Sequence, residues 1–171
     1  MIKCAMLYIL DAYNVIHKVP ELEACLNRGL RQARDALVMF CQHLLAKRRD
    51  IHQIIIVFDG RTEFHHLPRE QTPKIRIEYS DTEEKADERI VKILEEHEAV
   101  AGKAVVSDDN FVRNQARAYR TRITSVAEFN AMLKKFPSSR QGKNGTGPGC
   151  KVPPSLESAI TAAYKKDLGL A

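Results

Sequence analysis

Three aspartates in the sequence each follow a short hydrophobic run. They are Asp11, Asp59 and Asp108, and the runs before them are residues 5–10, 53–58 and 103–106. Each run has the length and composition of a buried β-strand, and neighbouring parallel strands end at the same edge of a sheet. Carboxylates that converge there repel one another unless a cation lies among them, and oxygen ligands suit Mg²⁺ or Mn²⁺. The pattern predicts a metal-dependent enzyme, although a lone aspartate at a strand end is equally often a turn residue that accepts backbone hydrogen bonds.

Two further residues are candidates for the same site. Asp87 lies one turn before Ile90, at the edge of the apolar stripe of a predicted helix, so its carboxylate can reach the sheet edge. Acidic residues are also common in the first turn of any helix, which is the simpler interpretation. Asn14 follows Asp11 by three residues, and it either orients a ligand in the same pocket or forms an Asx-type turn.

Basic and aromatic residues next to the aspartates indicate how a substrate would bind. Arg113, Arg117 and Arg120 recur at helical spacing directly after Asp108, where a phosphate chain would pass. The alternative for these arginines is an ordinary solvated helix face. Tyr13 is close to Asp11, where its ring can stack on an unpaired base. A net charge of +5 around an acidic site agrees with a polyanionic substrate.

The composition is that of a globular domain. The 171 residues are 44% hydrophobic and 29% charged, and this length suits one domain. No hydrophobic run approaches the length of a membrane span, and the N-terminus enters a strand directly, unlike a signal peptide. We therefore expect a cytoplasmic protein without membrane contact. The four cysteines lack the paired spacing that is typical of zinc sites.

Hydrophobic periodicity predicts an α/β fold. We expect helices at about residues 28–49, 82–98, 109–119 and 126–135, an edge strand at 74–79 and a short strand at 122–124. With the three buried strands, this order indicates a single-domain, mostly parallel, doubly wound sheet with helices on both faces, over residues 1–136. Residues 137–154 have the composition of a flexible linker, and residues 155–171 are predicted to form a C-terminal helix. No glycine-rich phosphate-binding loop follows a strand, which removes the main support for an NAD or P-loop site.

Four short motifs resemble the YacP-type branch of the NYN domains, within the PIN-like nuclease superfamily. They are Asp11-Ala12-Tyr13-Asn14, Val57-Phe58-Asp59-Gly60, Lys85-Ala86-Asp87-Glu88 and Val106-Ser107-Asp108. They occur in the family's order, and the similarity covers roughly residues 6–135. The resemblance implies an acidic site of Asp11, Asp59, Asp87 and Asp108 that binds Mg²⁺ or Mn²⁺, with Asn14 supporting it. It also implies a metal-dependent endoribonuclease that acts on single-stranded or structured RNA, with RNA and the ribosome as partners. We expect a monomer or a weak homodimer.

The sequence departs from the family pattern at two informative positions. Ala12 replaces a glycine, so the turn after the first strand must avoid left-handed geometry. Asn110 stands where many relatives have a second aspartate, two positions after the one that matches Asp108. The loss of that carboxylate would weaken a second metal site.

Other protein classes fit the aspartates less well. A haloacid-dehalogenase-type phosphatase needs a second aspartate two residues after the first, and Tyr13 occupies that position. A receiver domain needs paired acidic residues and a lysine late in the sheet, and neither is clear. The alternative that we retain is an RNA-binding module that has kept the nuclease fold but has little or no turnover.

Overall fold

The computed structural model describes residues 5–60, 73–80 and 85–134 as alternating strands and helices. The strands are β1 (Met6–Asp11), β2 (Ile51–Phe58), β3 (Ile75–Tyr79), β4 (Lys103–Val106) and β5 (Arg122–Thr124). The helices are α1 (Ala12–Lys18), α2 (Pro20–Leu26), α3 (Leu30–Lys47), α4 (Ala86–Glu96), α5 (Asn110–Ala118) and α6 (Val126–Lys134). This alternation confirms the predicted α/β class.

The five strands form one sheet in the order β3-β2-β1-β4-β5, and every neighbouring pair is parallel. The first strand is central, and Leu10 pairs with Ile56 of β2 on one side and with Val106 of β4 on the other. Because these three strands end in register, the residues that follow them meet at the carboxyl edge of the sheet. The predicted parallel sheet is confirmed, and so is the edge position of β3.

Alternate residues of the strands pack into two separate cores. Tyr8, Leu10, Ile56 and Val106 are among those that face one core with α1, α2, α3 and α6. Leu7, Ile9, Ile55 and Val105 are among those that face the other core with α4 and α5. Since both faces of the sheet are covered, the central strands are apolar along most of their length, as is typical of buried parallel strands.

The main difference from the sequence prediction is α1, which begins directly after Asp11. The residues of α1 include the β-branched pair Val15 and Ile16 and a turn-favouring asparagine, so its intrinsic helix propensity is low. Its buried residues are held by packing against β1, α2 and α3. Helix α4 also begins later than predicted, at Ala86 after the extended residue Lys85.

Some predictions concern residues outside the described ranges. These are the linker at 137–154 and the C-terminal helix at 155–171. In the parts of the chain that the structure describes, no helix has both the length and the apolar character needed to cross a bilayer.

Candidate active site

Asp11 is the last residue of the central strand, and its side chain is 8% exposed. Its Oδ1 accepts a hydrogen bond from the backbone N–H of Asn14 at 3.2 Å, which caps α1. Its Oδ2 accepts a hydrogen bond from the hydroxyl of Ser107 at 3.1 Å. Both oxygens are therefore oriented by groups from two different elements.

Asn14 and Ser107 join the turn after β1 to the turn after β4. Asn14 Oδ1 accepts from the backbone N–H of Asp108 at 3.2 Å, and Ser107 Oγ accepts from the backbone N–H of Asp109 at 3.0 Å. Asn14 thus lies in the predicted pocket, where it orients backbone. Ser107 is completely buried and was not predicted as a site residue. The sequence feature that could have identified it is its position between a buried strand and two aspartates.

Asp109 is the N-cap of α5. Its Oδ1 accepts from the backbone N–H groups of Phe111 at 2.8 Å and Val112 at 3.1 Å, a common way to satisfy the first donors of a helix. Its negative charge also contributes to raising the pKa of both Asp11 and Asp87. Asp109 therefore acts electrostatically on these two carboxylates as well as capping the helix.

Asp87 and Asp59 come from two other elements, the start of α4 and the end of β2. Asp87 is in the first turn of α4, and burial, followed by the charges of Asp109 and Asp59, raises its pKa. Asp59 is exposed after β2 and accepts a hydrogen bond from the Ser80 hydroxyl at 3.1 Å. The start of α4 is held against β3 because Arg89 donates twice to Glu78, from Nη2 at 2.7 Å and Nε at 2.9 Å.

We call Asp11, Asp59, Asp87 and Asp109 the carboxylate cluster. Burial is the largest cause of the raised pKa of Asp11, and the charges of Asp87 and Asp109 add to it against the lowering effect of its two hydrogen bonds. These hard oxygen donors suit Mg²⁺ or Mn²⁺ in chemistry. In residues 5–60, 73–80 and 85–134, however, no three acidic, histidine or cysteine side chains are close enough together to ligate one ion.

Asp108, predicted as a metal ligand, has both carboxylate oxygens engaged with other partners. Oδ2 accepts from Lys18 Nζ at 3.0 Å, and Oδ1 accepts from the backbone N–H of Val126, the first residue of α6, at 3.1 Å. Partial burial alone would raise its pKa, but Lys18, the Val126 N–H and Arg113 together lower it. Lys18 was missed in the sequence, where nothing distinguishes it from other surface lysines.

Tyr13 is half-buried, and its ring is already packed by other side chains. Phe58 meets the ring edge-on with centroids 5.9 Å apart, and the guanidinium carbon of Arg34 lies 5.5 Å from its centroid. Arg34 also donates a hydrogen bond to the Tyr13 hydroxyl. These contacts take up much of the surface that base stacking would use. Arg34 is 3% exposed and interrupts the apolar stripe of α3 between Ala33 and Leu37, a signal that the sequence contained.

The three predicted arginines do not lie together. Arg113 is half-buried in the first turn of α5, and Arg117 is exposed near the end of that helix. Arg120 is beyond the helix, has a left-handed backbone (φ 50°) and lies two residues before β5. Since β5 runs parallel to the other strands, its start is at the amino edge of the sheet, opposite the carboxylate cluster. The continuous helical track that the spacing predicted is therefore interrupted at Arg120.

The chain is similar to known proteins in both sequence and fold. A family model described as YacP-like NYN domain matches residues 8–153. A crystal structure of Rae1 (YacP) from Bacillus subtilis aligns with a TM-score of 0.62 and 18% identity, over 95% of this chain and 84% of that chain. A crystal structure of a mutant of that protein aligns with a TM-score of 0.63 and 20% identity, over 77% and 76% of the two chains. These identities demonstrate a shared fold alone, and no curated protein sequence matches the chain.

Proposed function

Because the chain belongs to the YacP-like NYN domain family, a family of PIN-like nucleases, we propose that it is a metal-dependent endoribonuclease. The observation that supports this most directly is the carboxylate cluster at the carboxyl edge of the sheet, where open α/β folds bind ligands. Asp11 and Asp87 have raised pKa values because burial and neighbouring charges disfavour ionisation. A divalent cation would remove that penalty.

Side chains of the carboxylate cluster are the proposed holders of the ion. Bound Mg²⁺ or Mn²⁺ would supply Lewis-acid activation of a phosphodiester and of a water molecule. The chain's own contribution is orientation: Asn14 and Ser107 fix the Asp11 carboxylate, and the α5 backbone fixes Asp109. Asp108 would join only after Lys18 left it. Lys18 is then free to donate to a substrate phosphate.

Metal-dependent cleavage of RNA tests this proposal. We expect the wild-type protein to cut single-stranded RNA with Mg²⁺ or Mn²⁺ and not with a chelator. Because water is the attacking group, the products should carry a 5′-phosphate and a 3′-hydroxyl. Asp109→Asn should weaken Mn²⁺ binding about 10- to 100-fold, whereas Asp108→Asn should leave it close to wild type. Calorimetric titration with Mn²⁺ measures this without relying on activity.

The two asparagine variants are matched controls for each other. They are neighbours in sequence, each removes one charge, and asparagine caps a helix about as well as aspartate does. If Asp108→Asn lost metal binding and Asp109→Asn kept it, the ligand set would be the one that the sequence predicted. Folded protein that binds RNA but never cuts it would favour the alternative, an RNA-binding module without turnover.

The arginines should contribute unequally to RNA binding. Arg113→Gln and Arg117→Gln are each expected to flatten the plot of log affinity against log salt by about 0.7 for one lost phosphate contact to a single strand. Arg120→Gln should leave the slope unchanged, because Arg120 lies at the opposite edge of the sheet. Binding titrations at several salt concentrations measure the three slopes. An equal effect of Arg120→Gln would mean that RNA extends along the whole of α5.

Three further assignments are proposals. They are association with the ribosome, a cytoplasmic location, and a monomeric or weakly dimeric state.

A further inference from the structure

Phe111 exposes a large aromatic side chain next to the carboxylate cluster. The residue is 49% exposed, and among the described residues Leu30, at 40%, is the other strongly exposed large hydrophobic residue. Its backbone N–H donates to Asp109 Oδ1 at 2.8 Å, so the ring is attached within the first turn of α5. A single exposed apolar residue is common on protein surfaces, and it is the position of this one that carries information.

Tyr13, which follows Asp11 by two residues, has less free ring surface on which a base could stack. Tyr13 is packed edge-on against Phe58, and the Arg34 guanidinium lies over its ring. Phe111 has no aromatic or cationic partner of this kind among the described residues. Compared with the ring of Tyr13, that of Phe111 therefore presents more open surface to a flat ligand.

Polar groups suited to a nucleic-acid backbone continue from Phe111 along α5. Asn114 is exposed one turn later, and its Oδ1 accepts from Arg117 Nη1 at 2.7 Å. Phe111 and Arg117 are about 9 Å apart along the helix axis, from a rise of about 1.5 Å per residue. An apolar ring followed by a guanidinium is the combination with which proteins hold single strands, since the ring stacks on a base and the cation meets a phosphate.

We propose that Phe111 stacks on an unpaired base of the RNA next to the phosphate that is cut. The proposal rests on the proposed ribonuclease function and narrows its substrate to RNA that is single-stranded at that position. A paired base is already stacked on its neighbours, so it would have to leave the duplex to reach the ring. Stacking is tolerant of sequence because every base has a π-face, so Phe111 would select unpaired structure and not base identity.

The test measures affinity for a short unpaired RNA with chelator present and Asp11→Asn in every protein, so that nothing is cut. Phe111→Ala and Phe111→Leu should both bind roughly 5- to 150-fold more weakly, and Phe111→Trp should bind at least as well as the parent. Leucine keeps apolar bulk and removes the ring, which separates stacking from simple hydrophobic contact. Tyr119→Ala is the aromatic control, because Tyr119 is at the far end of the same helix.

A set of RNAs with one abasic nucleotide moved along the strand locates the contact. At one position only, the loss caused by Phe111→Leu should disappear, because the base that the ring would contact is already missing. Equal affinities of parent and variants, or an equal loss with every abasic RNA, would overturn the proposal. If the loss disappears at one abasic position but wild-type protein cuts no RNA with metal, the stacking proposal is supported and the ribonuclease proposal fails. If wild-type protein cuts RNA but the loss disappears at no position, the ribonuclease proposal is supported and the stacking proposal fails.

Discussion

Asp11→Asn should reduce metal-dependent RNA cleavage by about 10²- to 10³-fold, the range seen when one preorganised group that stabilises transition-state charge is removed. Asp11 is the most buried member of the carboxylate cluster, and both its oxygens are oriented by hydrogen bonds. The introduced amide retains an acceptor for the Asn14 N–H and can donate to Ser107 Oγ. We therefore expect loss of turnover in a folded protein, measured by single-turnover cleavage at saturating metal. Wild-type turnover would remove Asp11 from the mechanism.

The same variant should be more stable than wild type at neutral pH when metal is chelated. The folded-state pKa of Asp11 is raised above 3.8, mainly by burial, so the ionised carboxylate opposes folding. The stability that neutral Asp11 contributes is fully present below its unfolded pKa and is lost as the pH rises through the folded pKa. The free energy of unfolding of Asp11→Asn should therefore equal that of wild type below the unfolded pKa of Asp11 and exceed it above the folded pKa. Denaturant unfolding at a series of pH values measures the difference. An advantage that grew towards acid would contradict this assignment.

Phe58→Ala should lower the free energy of unfolding by about 3–5 kcal/mol, as is usual for a buried aromatic residue. The Phe58 ring is 1% exposed, stacks on Tyr79 with centroids 5.7 Å apart and meets Tyr13 edge-on. The Arg34 guanidinium carbon also lies 5.2 Å from its centroid, so truncation would leave a buried cation beside a cavity. Urea denaturation measures the change.

Phe111→Ala is the matched control, because it removes the same side chain from an exposed position. Its effect on stability should stay within about 0.5 kcal/mol. Phe58→Leu should fall between the two, since it keeps apolar volume and loses the ring contacts. A loss of unfolding free energy below about 1 kcal/mol for Phe58→Ala would mean that the neighbouring rings of Tyr13 and Tyr79 can move to fill the space.

The sequence was sufficient to predict the parallel sheet and the positions at which its three central strands end. Uninterrupted apolar runs before Asp11, Asp59 and Asp108 identified the buried parallel strands, and their common ends explain why acidic residues meet there. Sequence spacing was insufficient to predict that the carboxylates of Asp108 and Asp109 contact different partners. Their side chains point to different partners, Lys18 in one case and the first turn of α5 in the other, because the turn after β4 is held by Asn14 and Ser107. Those contacts are between residues far apart in the sequence.

Features that depend on tertiary packing were the ones that periodicity did not predict. Helix α1 is two turns long and contains β-branched residues, so neither its length nor its propensity predicts a helix. Arg34 is buried because the rings of Tyr13 and Phe58 surround its guanidinium, and these rings come from two other elements. The exposure of Phe111 likewise depends on how α5 packs on the sheet.

The hydrogen bond between Asp11 and Ser107 joins residues 96 positions apart. Asp11 is made before β2, β3 and β4, and its partner Ser107 follows β4, so this hydrogen bond can form only after those strands have been synthesised. Closing so long a loop is entropically costly until the intervening strands and helices have assembled. Incomplete nascent chains and fragments that end before Ser107 therefore cannot form the site. A fragment that stops before Ser107 would leave the Asp11 carboxylate without the hydroxyl that orients its second oxygen.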